Sequence, residues 1–391
     1  MKKRMLIVFV ICMSMILTAC GSGNGSTAPD SKTASSETAQ NNNVQEDEKD
    51  RQEVQESDSE NNKQEAQESG SEENTAAASD ESIVTNGGES IALSALEHRD
   101  SAAKAVVYYT SDISAESMVK IYEALGQKLE GDKIAVKLST GEPPASNYLD
   151  PNLIADLVHL VDGTIVENNT AYGGQRASSA MHYQVAEDHG FTDIADFVVL
   201  DEDGSLSLPV NGGTHLSENL VGAHFNEYDG YLVLSHFKGH AMAGFGGAIK
   251  NISIGLGSQE GKCLIHTAGE SHTSPWGGDQ DAFTESMAEA GLSVVDALDG
   301  NILYVNVMNR LSIDCDCDGN PSEPDMHDIG ILASADPVAL DQACVDLVYA
   351  SADNNTSLVQ RMESRNAVNV LVHGEAIGLG SRTYQLVNID G

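Results

Sequence analysis

The sequence predicts an α/β domain, a mostly parallel or mixed sheet covered by helices, preceded by a disordered acidic tail. Three observations carry this reading. Beyond residue 104, short apolar β-rich runs alternate with segments of helical period. Between Phe9 and Tyr108 there is no Phe, Tyr or Trp. Residues 21–90 hold 17 acidic and 4 basic side chains among Ser, Asn, Gln, Gly and Ala, too little apolar surface to offset the entropy of ordering.

The elements follow in chain order. Residues 106–110 read as a strand. Met118, Ile121, Leu125 and Leu129 recur at helical spacing, so 114–129 reads as a helix. Residues 134–138 form the next strand. Asp150 and Pro151 are a cap and a first-turn proline, and Gly163 closes that helix. A strand at 164–167 precedes a helix at 181–189. Strands follow at 197–200, 231–235, 302–307 and 331–334, and a helix capped by Asp336 fills 337–349. In such sheets ligands sit beyond the carboxyl ends of the strands.

The N-terminus reads as an address and an anchor. Lys2, Lys3 and Arg4 precede an apolar run, residues 5–17, too short to span a bilayer. Leu17-Thr18-Ala19-Cys20 then resembles the lipobox of bacterial lipoproteins. The expected organisation is a signal peptide over 1–19, an acidic tether over 20–100 and the α/β domain over 101–391. Cys20 would carry the lipid, including palmitate, and hold the chain outside the cytoplasm on the bacterial cell membrane.

Charge narrows the function. The chain is −39 overall, and residues 91–391 alone carry −29. That disfavours nucleic acid as a partner. Six cysteines in 391 residues do not make a disulfide scaffold. No Gly-x-Ser-x-Gly elbow, Walker loop or complete dinucleotide fingerprint is present.

Chemistry concentrates in three blocks. Residues 231–257 run from an apolar strand into His236, Lys238 and His240, then Gly244, Gly246, Gly247, Lys250 and Asn251. Glycines with free amides beside scarce lysines suit an anion, and the bland alternative is a turn with surface lysines. Asp314-Cys315-Asp316-Cys317-Asp318-Gly319 places two thiols where an extended backbone points them the same way, as a chelate for iron or zinc. A disulfide there would close a small, strained ring. The same acidic spacing, ending at Asp325, also suits a calcium loop. Lys262, Cys263 and His266, with Glu270 and His272, form the third block.

These motifs, in order, resemble the DUF362 family: Ser-His-Phe-Lys-Gly-His at 235–240, Gly-Phe-Gly-Gly-Ala-Ile-Lys-Asn at 244–251, Gly-Lys-Cys-Leu-Ile-His at 261–266, Cys-Asp-Cys at 315–317, and the run at 328–341. The terminal segment 378–386 also fits. Members are often labelled iron–sulfur-centre proteins, and many carry a ferredoxin-type cassette before the Cys-Asp-Cys motif. This chain has no cysteine between His272 and Asp314, so no ferredoxin-type [4Fe–4S] cluster is expected. The expectation is therefore a surface-anchored, metal-dependent enzyme of redox character. Cys315 and Cys317, helped by His240 or His266, would hold one metal ion. His240 and His266 would also serve catalysis. Lys238, Gly244, Gly246, Gly247, Lys250 and Asn251 would bind an anionic small molecule. The rival is a lipoprotein that binds a metal or ligand without turnover.

The anchor is directly testable. Cys20→Ala should leave the precursor unprocessed and unlabelled by radioactive palmitate; label persisting on the variant would remove the anchor.

Overall fold

The computed structural model describes residues 81–391. The expected signal peptide, Cys20 and residues 20–80 of the expected tether lie outside the described residues. In chain order the elements are β1 (Ser82–Val84), β2 (Ser90–Ala92), β3 (Ala105–Thr110), α1 (Ala115–Ala124), β4 (Ile134–Lys137), α2 (Pro151–Leu160), β5 (Gly163–Glu167), α3 (Ser179–Asp188), β6 (Phe197–Val199), β7 (Ser205–Pro209) and β8 (Glu218–Gly222). Then come β9 (Gly230–His236), β10 (Lys238–His240), β11 (Gly244–Gly246), α4 (Ala248–Ile252), α5 (Gln259–His266), α6 (Gln280–Ala297), β12 (Ile302–Met308), β13 (Gly330–Ser334), α7 (Pro337–Ala350), α8 (Thr356–Glu363), α9 (Asn369–Ala376) and β14 (Tyr384–Asn388).

One eight-stranded sheet, ordered β14-β3-β13-β12-β9-β4-β5-β6, organises the domain. Its pairings are parallel except those of β13, which opposes both β12 and β3. The link from β12 to β13 contains no helix, so the chain turns back antiparallel there instead of crossing over. The mixed α/β sheet is therefore as the sequence implies.

Strand residues alternate between two cores. Val136, Leu232, Leu234, Leu303 and Val305 face α1, α2 and α3. Ala135, Tyr231, Val233, Ile302 and Tyr304 face the opposite side, with α4, α6 and α7. That period of two, with both faces covered, is why these strands read as continuous apolar runs. Caps set the helix starts. The Asp150 side chain accepts from Asn152 N ahead of Pro151, and Asp336 accepts from Val338 N and Ala339 N. Among the described residues no helix is long and apolar enough to cross a membrane.

The domain begins earlier than expected. β1 and β2 form a hairpin inside the segment assigned to the tether. Ile83, Ile91, Leu93 and Leu96 are buried in the main core, and Tyr109 donates its hydroxyl proton to Val84 O at 2.9 Å. A few branched residues in an otherwise polar segment are enough, because they cover a preformed core edge. Deleting 21–80 should leave the thermal midpoint unchanged. Extending the deletion through Leu96 removes four buried side chains worth about 1.5–3 kcal/mol each and should lower the midpoint sharply. Equal midpoints would mean the hairpin does not pack.

Candidate functional site

At the carboxyl ends of β4, β5 and β9 the chain places Lys137, Glu167 and His236. Here the strand order switches: β5 and β6 extend to one side of β4, while β9 and β12 extend to the other. The crevice between β4 and β9 is the position this sheet type offers a ligand. Asn251, on α4, ties it together. Its Nδ2 donates to Leu234 O and Ser235 Oγ, both 3.1 Å, and its Oδ1 accepts from Lys137 Nζ at 2.8 Å. Asn251 thus positions the two strands and a lysine.

The pocket above this crevice has two chambers. The inner one, about 90 Å³, is lined by Lys137, Lys238, Lys250, Lys262, Arg176 and the carboxylates Glu167 and Asp316. The outer one, about 370 Å³, is largely apolar, with Met242 and the exposed Trp276 beside His240 and His266. Lys250, Lys262, Cys315 and Cys317 line both chambers.

The inner cations divide into two sets. Arg176 is neutralised: it donates to Glu167 Oε1 at 2.8 Å and Glu142 Oε2 at 3.3 Å. Lys238 pairs with Asp316 at 2.9 Å and donates to His236 O at 2.7 Å. Burial pushes the Asp316 carboxyl up, but Lys238 and His236 outweigh it and hold the group well below the usual carboxylate range. Lys238 therefore serves mainly to hold the cysteine loop.

The other set has no carboxylate partner. Lys137 donates to Leu138 O and Asn251 Oδ1, and Lys262 donates to Gly257 O. Among the described residues the Lys250 ammonium group has no hydrogen-bond or ion-pair partner, although the Lys250 carbonyl accepts from Gly255 N. Burial lowers Lys137 to about 7, against the pull of Glu167; burial and then Lys238 lower Lys250 to about 7. Burial likewise lowers Lys262 to about 8. Asn168 Oδ1, on the same wall, is buried without a hydrogen-bond donor. Three under-neutralised ammonium groups thus face one small chamber, where Asn168 Oδ1, an acceptor, could take only a proton donor.

Of the glycines expected to form a cradle, Gly246 and Gly247 line the inner chamber and Gly244 does not. The amides of Ala248 and Ile249, which such a cradle would offer, already donate to the Asp341 carboxylate at 2.8 and 2.9 Å. Gly247 permits this approach, since a Cβ there would sit 2.3 Å from Asp341 Oδ1. Gly246 lines the inner chamber beside Lys250 and Lys238. Gly244 lies elsewhere: its φ is +80°, and it packs against Met362, Arg365 and Ala367.

The sulfur motif sits on the loop after β12. Its extended backbone is also corrected: Asp318 N donates to Cys315 O at 2.9 Å, making a turn. That turn brings the sulfurs together, and Cys315 and Cys317 are joined as a disulfide, where two free thiolates were expected. His240, Cys315 and Cys317 offer ligand atoms within 4.8 Å of one another, a possible metal group once the disulfide is reduced. Two of the candidate calcium ligands are otherwise engaged. Asp316 faces Lys238 and His236, and Asp314 accepts from Ser322 N and Oγ and lies 3.5 Å from Arg361.

The two histidines hold opposite tautomers. His240 Nδ1 accepts from Met242 N at 3.1 Å and Ala243 N at 2.9 Å, so the ring proton sits on Nε2, 3.9 Å from Cys317 Sγ. His266 Nδ1 donates to Lys262 O at 2.7 Å, leaving Nε2 as a free lone pair. Burial keeps both neutral, His240 well below its usual range with help from Lys250, and His266 at about 4. His272, by contrast, is exposed on Glu260. Lys262 and His266 share one face of α5 at i, i+4 spacing.

Two solved structures align with this chain at low identity. The lactate racemase apoprotein of Thermoanaerobacterium thermosaccharolyticum aligns at 15% identity and a TM-score of 0.38, covering 68% of this chain and 61% of that one. A Thermotoga maritima protein aligns at 14% identity and a TM-score of 0.37, covering 59% and 57%. The chain thus spans about three-fifths of the length of each structure. No curated protein matches. Residues 134–346, which contain the crevice, the lysines and the cysteine loop, match the family profile described as "Domain of unknown function (DUF362)", and the chain belongs to that family.

Proposed function

We propose that the chain is a lipid-anchored protein working outside the cytoplasm, whose domain binds a small anionic molecule and acts on it through a sulfur-based, metal-dependent redox centre. The observation that carries the reading is the convergence of Lys137, Lys250 and Lys262, without carboxylate partners, on one crevice of a chain of net −39. Uncompensated ammonium groups are costly to bury, and an anion removes that cost.

The metal part rests on the His240–Cys315–Cys317 grouping. Iron or zinc suits two thiolates and an imidazole. Capture has two requirements: reduction of the disulfide, and a rearrangement of the His240 ring that turns a nitrogen lone pair to the metal. The two thiols must lose their protons, so binding should release protons.

One calorimetric series tests both parts. Sulfate should bind the oxidised full-length protein, and Lys250→Ala should weaken it by about 1.5–3 kcal/mol, the range for a charge-assisted contact. Zinc should bind one per chain only after anaerobic reduction, and Cys315→Ser/Cys317→Ser should abolish it. Unchanged sulfate affinity in the lysine variant would make Lys250 a bystander. Zinc retained by the cysteine variant would overturn the metal assignment.

A further inference from the structure

The disulfide, its neighbours and the lysines are arranged for more than ligand capture. We infer that Cys315–Cys317 is a reactive disulfide that oxidises small thiols carrying an anionic group, with Cys315 the sulfur attacked and Cys317 the sulfur that leaves. The anionic part of this inference rests on the lysine reading above; the exchange chemistry does not.

Four observations carry it. Both sulfurs line both chambers, so a molecule held by the lysines lies against the disulfide. His240 presents its only ring proton, on Nε2, toward Cys317 Sγ at 3.9 Å, because two backbone amides occupy Nδ1. That N–H is a ready donor to a thiolate forming on Cys317. The Cys317 amide donates to Cys315 Sγ at 3.3 Å, so the second sulfur also has a donor when its turn comes to leave. Lastly, the loop is held in place: Lys238 and His236 grip Asp316 between the cysteines, and Glu142 N donates to Asp316 O at 2.7 Å. A fixed loop keeps the two sulfurs adjacent after the bond between them opens.

The chemistry balances with thiols alone. A first thiolate attacks Cys315 Sγ along the S–S axis. A new S–S bond forms between substrate and Cys315, the Cys315–Cys317 bond breaks, and the electron pair departs on Cys317 Sγ, where it accepts the His240 proton as a hydrogen bond. A second thiolate attacks the substrate sulfur of this mixed disulfide. The small disulfide leaves, and the pair departs on Cys315 Sγ. Two thiols lose two electrons and two protons, and the protein gains a dithiol. The apolar outer chamber, with Trp276 at its rim, admits a thiol bearing a short hydrocarbon body, while the inner lysines take its carboxylate.

The test uses oxidised full-length protein and a single turnover. Mix it with 3-mercaptopropionate or with neutral 2-mercaptoethanol, quench with acidic N-ethylmaleimide, and map the modified peptides by mass spectrometry. The inference expects the thiol adduct on Cys315 and the maleimide on Cys317 at early times, then both alkylated with release of the small disulfide. At equal thiolate concentration the anionic thiol should react at least ten-fold faster. That ratio should fall toward one in Lys250→Ala and, as an independent variant, in Lys262→Met. His240→Phe should slow both thiols. An adduct on Cys317, or no preference for the anionic thiol, overturns the inference. If sulfate still binds when the preference is absent, the inference fails alone; if sulfate binding is absent too, the anion reading fails with it.

Discussion

Positive charge concentrated under a carboxyl edge, in a chain of net −39, is the constraint from which the rest of the site follows. Arg176 and four lysines line one small chamber, and like charges so placed repel strongly in a low-dielectric interior. The protein offsets part of this. Glu142 and Glu167 take Arg176, and Asp316 takes Lys238. Those pairs join separate elements: the 139–142 segment, β5, the loop before α3, the β9–β10 junction and the cysteine loop. Neutralising the surplus charge and assembling the walls are the same act. What is left over, on Lys137, Lys250 and Lys262, is the charge that the proposed anion would meet.

The same geometry ties the cysteine loop to the lysine-lined chamber. Asp316 lies between the cysteines and also pairs with Lys238, so the loop cannot shift without freeing a cation. Asp341 acts at the opposite wall. It caps α4 from outside, reaching two amides across Gly247, and so places Lys250 and Asn251. Asp341 is itself raised to about 6 by burial, against three hydrogen bonds that favour its charge. A carboxylate held under such cost is a positioning residue.

Much of the fold was legible because its strands are apolar runs bounded by caps and glycines. The readings at 106–110, 134–138, 302–307 and 331–334 coincide with β3, β4, β12 and β13. α6 escaped because its buried face is built of Ala, Ser and Gly as much as of large apolar residues, which blurs a 3.6-residue period. The β1–β2 hairpin escaped because two buried isoleucines and two buried leucines were diluted by polar neighbours. At the site, His236, Lys238, His240, Lys250, Asn251 and the Cys-Asp-Cys motif were visible as clusters in sequence. Lys137, Glu167 and Arg176 were not singled out, though a signal existed for two of them. Ile-Ala-Val-Lys and Thr-Ile-Val-Glu each end an apolar strand in a charge, and in a parallel sheet that end faces the ligand. Arg176 lies in a loop joined to the site only by tertiary contact, and nothing local marks it. The disulfide was unreadable because it depends on a turn, not on spacing.

Proton linkage on anion binding tests the central claim most directly. Lys137 and Lys250, lowered to about 7 by burial, are largely uncharged at about pH 8 and charged at about pH 6. An anion favours the charged forms and raises both values, so binding at the higher pH must draw protons from the buffer. Sulfate, which does not titrate in this range, should be titrated calorimetrically in two buffers of different ionisation enthalpy. The account predicts uptake of about one proton or more at about pH 8 and almost none at about pH 6. Sulfate binding with no buffer dependence at the higher pH, or no sulfate binding at either, would contradict it.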